Sequence, residues 1–128
     1  MAYHLTKTVP DSFDAAVTRV TEALKTEGFG VLTEIDVQTT LKHKLDVDFR
    51  RYLILGACNP RMALRALETE PYIGTMLPCN VVVQETQAGR VEVSAVDPLA
   101  SMQAVQNPGL AEIAGEVRDK LQRVIDGL

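Results

Sequence analysis

Apolar residues recur along this chain with two different spacings, and the alternation between those spacings predicts the order of its elements. Tyr3, Leu5 and Val9 alternate with His4, Thr6 and Thr8, the period of two of a half-buried strand across residues 2–9. Pro10-Asp11-Ser12 ends that strand and supplies side-chain oxygens for a helix start. Phe13, Ala16, Val17, Val20, Ala23 and Leu24 then recur three and four residues apart, forming the single apolar stripe of an amphipathic helix. Gly28 stands where a left-handed C-terminal cap is wanted, and Phe29 can fold back on the last turn. Val31, Thr33 and Ile35 mark a second strand. Asp36 caps a short helix carrying Val37, Leu41 and Leu45 on one side.

The middle of the chain reads differently. Tyr52-Leu53-Ile54-Leu55-Gly56-Ala57 is apolar on both faces, as a central strand must be. Asn59 is a good N-cap, and Pro60 suits the first helical position because it lacks the amide hydrogen that would be orphaned there. Ala63, Leu64 and Leu67 continue that helix towards Pro71, and residues 70–78 read as a loop. Val81-Val82-Val83 opens another apolar strand. Ala88-Gly89 supplies a turn, and Val91, Val93 and Ala95 alternate with Glu92 and Ser94. After Asp97-Pro98 comes a short irregular or helical stretch to Val105. Asn107-Pro108 caps a last helix with the stripe Leu110, Ile113, Ala114, Val117, Leu121, Val124 and Ile125.

The predicted order is β-α-β-α-β-α-β-β-α. It describes one α/β domain over residues 1–128, a two-layer arrangement of helices packed on a mixed β-sheet. Each long helix has one apolar stripe and so covers one sheet face. The central strands want cover on both faces, which the short helices or a second copy of the chain would supply. A homodimer is the expected answer, since symmetric dimers are the commonest soluble assembly.

Composition narrows the classes of partner. With 13 basic and 17 acidic side chains the net charge is −4, so the chain lacks the cationic footprint that nucleic acids require. Lys42-His43-Lys44 and Arg50-Arg51 read as solvated faces. No apolar stretch approaches the roughly 18–20 residues of a membrane span. Met1 to Lys7 lacks the features of a signal peptide. The expectation is a cytoplasmic protein with two reduced thiols, and with neither nucleic acid nor membrane as partner.

Those two thiols carry the candidate chemistry. Ala57-Cys58-Asn59-Pro60 and Pro78-Cys79-Asn80 are near-copies of one signature and contain the only cysteines of the chain. Cys58 precedes a helix start, where free amides, the helix dipole and nearby Arg61 favour thiolate over thiol. The candidate ligand or redox site is therefore Cys58, Asn59, Arg61, Cys79 and Asn80. If the strands at 52–57 and 81–86 are adjacent and antiparallel, both sulfurs lie at one end of the sheet. If they are parallel, roughly 15–20 Å separates them at about 3.3 Å per residue. The reading favours the first arrangement. A competing architectural reading makes each cysteine a small buried hydrophobe and each asparagine a cap. Zinc would need His4 and His43 to complete a set of four, and both are expected to face water, so no metal is assigned. Met76 and Met102 could line an apolar pocket or fill core, and Tyr52 and Tyr72 read as packing residues.

The run Leu55-Gly56-Ala57-Cys58-Asn59-Pro60, then Ile73-Gly74-Thr75-Met76-Leu77-Pro78-Cys79-Asn80-Val81-Val82-Val83, then Val96-Asp97-Pro98, resembles the bacterial family known as domain of unknown function 302 (DUF302). Thr40-Leu41-Lys42-His43-Lys44-Leu45 resembles its short second helix. The family usually shows glycine where this chain has Asp46, which concerns one local turn. The resemblance implies a compact two-layer α/β fold and a dimer, and it implies no activity or cofactor.

Three functions remain open to the sequence. The leading one is a non-enzymatic dimeric module holding a small-molecule ligand or redox-active species near Cys58 and Cys79. The second is a thiol enzyme or sensor with Cys58 reactive and Cys79 resolving. The third is an interaction domain with inert cysteines.

Overall fold

The computed structural model describes residues 2–128. Five strands, β1 (His4–Val9), β2 (Gly30–Asp36), β3 (Tyr52–Cys58), β4 (Cys79–Glu85) and β5 (Val91–Val96), form one sheet in the order β1-β5-β4-β3-β2. Five helices accompany them: α1 (Phe13–Thr26), α2 (Val37–Leu45), α3 (Pro60–Thr69), α4 (Pro98–Ser101) and α5 (Pro108–Asp126). The α/β class and the expected order of elements hold. The sheet is not mixed, however: every ladder is antiparallel. The α3 crossover brings the chain back beside β3, and its landing at Cys79 reverses the strand direction.

Register fixes which residues share a face. On one side Leu5, Ala95, Val81 and Leu55 stand in a row across four strands, flanked by Val93 and Val83. These side chains of β3, β4 and β5 are buried, α1 and α5 lie over them, and α3 packs against α5. The α5 stripe inferred from the sequence is the buried one, from Leu110 to Ile125. On the other side Thr6, Ser94, Val82, Ile54 and Ile35 form the matching row. Helix α2 touches β2 and β3 yet buries none of its own residues, so it leaves most of that face uncovered.

The helix ends obey local chemistry. The Ser12 hydroxyl and the Asp36 carboxylate accept from the amides of Ala15 and Thr39. Gly28 has φ 84°, and the Phe29 amide returns to the Leu24 carbonyl, the left-handed termination expected there. Asp46 closes α2 in the left-handed region, at φ 53°. Asn107 departs from expectation. Its side chain makes no capping bond to α5 and instead donates to the Thr69 carbonyl and Glu70 Oε1, tying α5 to the end of α3. The segment predicted as a loop contains a 3-10 helix, Pro71–Met76, which buries Ile73 and leaves Tyr72 80% exposed, so Tyr72 is not a packing residue.

Candidate functional site

Strand β3 ends at Cys58 because Asn59 and Pro60 leave no choice but a helix start. Asn59 Oδ1 accepts from the Met62 amide at 3.3 Å, and Asn59 Nδ2 donates to the Glu27 carbonyl at 3.2 Å. One side chain thus opens α3 and latches it to the end of α1. Glu27 is held from a third direction: its carboxylate accepts from Arg123 of α5, which keeps it below the ordinary carboxylate pKa. Asn59 is a structural cap with both ends of its amide engaged.

Strands β3 and β4 are antiparallel neighbours, and Ala57 pairs with Cys79. Cys58 follows Ala57 directly, so the two sulfur-bearing residues lie at the same end of the sheet on adjacent strands. On its other side Cys58 pairs with Gly30. Their surroundings differ. Cys58 is half-buried, whereas Cys79 is buried on the helix side, and burial followed by the neighbouring Cys58 pushes its thiol pKa up to about 11.

Both cysteines border a cleft of about 310 Å³ between α3, α5 and the ends of β3 and β4. Its walls are apolar: Phe29, Met62, Ala66, Leu77, Met102 and Ile113 are among them, with Leu32 and Leu67 exposed at the margin. Alanines explain the space. Ala63 and Ala66 on α3 and Ala114 on α5 all line it, and methyl side chains leave room that larger ones would fill. Met102 lines the cleft, while Met76 is 39% exposed and does not.

The remaining candidates go elsewhere. Asn80 follows Cys79 along an extended strand and so points to the opposite, uncovered face, beside Tyr52, Ser94 and Thr6. Arg61 borders a separate hollow with Glu27, Gly28 and Lys120. The paired Cys-Asn signatures therefore do not make a single five-residue site: the two cysteines lie at one end of neighbouring strands, one asparagine caps, and the other is turned away by strand alternation. His4 and His43 are both exposed, on β1 and α2, and no cluster of metal-binding side chains occurs among the described residues. The cleft walls escaped the sequence reading because Met62, Ile113 and Ala114 carry only the signature of core. The cluster of alanines on facing helices was the signal that could have found them.

No helix among the described residues is long and apolar enough to cross a membrane. A comparison with curated proteins finds no match. Among solved structures, the crystal structure of an uncharacterized conserved DUF302 protein from Bacillus stearothermophilus is similar with a TM-score of 0.92 and 32% sequence identity, covering 98% of this chain and 98% of that one. The family described as "Domain of unknown function DUF302" matches residues 5–128. Matched over nearly its whole length by the family and by a solved structure of the same fold, this chain belongs to the DUF302 family.

Proposed function

We propose that this protein is a cytoplasmic, non-enzymatic binding module that holds a small ligand in the cleft beside Cys58 and Cys79 and works as a homodimer. The observation that carries the proposal is the cleft itself, a formed concavity bordered by both cysteine-bearing strand ends. Its lining presents two thiols and an amide already bound to Met62 and Glu27, a set suited to holding a molecule more than to transforming one. Support for the dimer comes from the uncovered sheet face, where Ile35, Ile54 and Val82 stand side by side. Thermal-shift screening across a metabolite and metal panel tests the binding proposal. A stabilising compound whose effect is lost in Ala63→Phe supports it, and an empty screen on folded protein favours an interaction domain. Light scattering at tens of micromolar tests the dimer, which a monomer mass would refute.

A second reading is favoured by the neighbouring strand-end positions of the two cysteines. A peroxide would oxidise Cys58 to the sulfenic acid with loss of an alcohol or water. Attack by Cys79 would then release water and leave a Cys58–Cys79 disulfide. The raised pKa of Cys79 works against the second step at neutral pH. Intact-mass analysis after mild peroxide treatment decides it: loss of two hydrogens supports the sensor, and an unchanged mass removes it.

A further inference from the structure

The cleft's chemistry constrains what it can hold. Asn59 is the only lining residue with a side-chain nitrogen or oxygen, and both amide atoms are already engaged, by the Met62 amide and the Glu27 carbonyl. None of its lining residues is charged. The margin is apolar too, with Leu32 68% and Leu67 42% exposed. A charge brought into such surroundings would lose its hydration and find no counter-ion. Size sets the second limit. An apolar cavity of about 150 Å³ is enough to take up benzene. At about 310 Å³ this cleft is roughly twice as large.

We infer that the ligand portion seated in this cleft is uncharged and hydrocarbon-rich, with about ten to twelve non-hydrogen atoms, the dimensions of a bicyclic aromatic or a medium-length aliphatic chain. The inference rests on the proposed binding function and adds the class of molecule. It also explains a feature that a merely structural pair of helices would not need. Ala63, Ala66 and Ala114 present only methyl groups to the cleft, leaving Met62 and Met102, the most adaptable of apolar side chains, to shape the space.

Two probes of one shape test it: neutral 1-methylnaphthalene and cationic 1-methylquinolinium. The charge of the second lies within the ring system and cannot stay in solvent while the hydrocarbon enters. Methionine-methyl NMR on the full chain provides the readout, since Met62 and Met102 line the cleft whereas Met76 does not. The expected result is a saturable shift of the Met62 and Met102 methyls with the neutral probe and binding at least about 100-fold weaker for the cation. Ala63→Phe, a change at a half-buried position, should abolish the response. Equal binding of the two probes would overturn the ligand class and leave the binding function standing. If the neutral probe moves neither Met62 nor Met102, or binds Ala63→Phe as it binds the natural chain, both the class and the cleft assignment fall.

Discussion

Pro78 packs directly over Gly56: a β-carbon at Gly56 would stand 2.8 Å from Pro78 Cγ, and closer still to Thr33 Oγ1. The absence of a side chain at Gly56 thus lets the segment before β4 lie down on β3 and bring Cys79 opposite Ala57. Thr33 can rotate, but the proline ring cannot. Gly56→Ala should therefore destabilise the fold by about 1–3 kcal/mol, the usual cost of overpacking. Urea unfolding checks this, and adding Thr33→Ala should recover only part of the loss.

Asn59 is expected to matter through its two bonds. Asn59→Ala removes both the cap on Met62 and the latch to Glu27, for a loss of about 1–2 kcal/mol. Asn59→Asp keeps an acceptor for Met62 but faces the Glu27 carbonyl with a carboxylate. It should fall between the natural chain and the alanine variant in denaturant midpoint.

Asp46 offers a change of opposite sign. Its φ of 53° is a conformation in which a side chain is strained and glycine is not. The ion pair from Lys42 to Asp46 is largely exposed and contributes little against that. Asp46→Gly should stabilise the protein by about 0.5–1 kcal/mol in thermal or denaturant unfolding.

The buried thiol makes stability depend on alkaline pH. Cys79 ionises near 9.0 when unfolded and at about 11 when folded, so the unfolded chain loses its proton first as pH rises. Any stabilisation is full below pH 9 and declines up to pH 11, by about 2–3 kcal/mol in total at 1.36 kcal/mol per unit. Cys79→Ala has no thiol to titrate and lacks this dependence. The stability advantage of the natural chain over that variant should shrink between those pH values, and a constant difference would show that Cys79 is not so buried.

Much of the architecture was legible because it is written in local signals. The alternation around Leu5, the stripe of α5, the Gly28 termination and the Asn59-Pro60 helix start all depend on neighbours within a few residues. What could not be read depends on residues far apart. Strand direction beside β3 was open because the α3 connection can close either way, and only pairing of Ala57 with Cys79 resolves it. The separation of Asn80 from Cys79 is a consequence of strand alternation that a strand drawn from Val81 had hidden, since β4 starts two residues earlier. Asn107 looks like a cap in sequence, yet its amide is drawn to Thr69, 38 residues away. The cleft is the extreme case, because a gap is defined by what several distant side chains fail to fill.

A ligand that fills the cleft sits against Cys58, which forms part of its wall. The most direct measurement is the rate of iodoacetamide alkylation at Cys58, followed by mass spectrometry on native protein with and without saturating 1-methylnaphthalene. Cys58 is the more exposed thiol and should react first, with Cys79 protected throughout. The expected result is a marked slowing at Cys58 when the probe is bound. An unchanged Cys58 rate at full occupancy would mean that the ligand does not sit there.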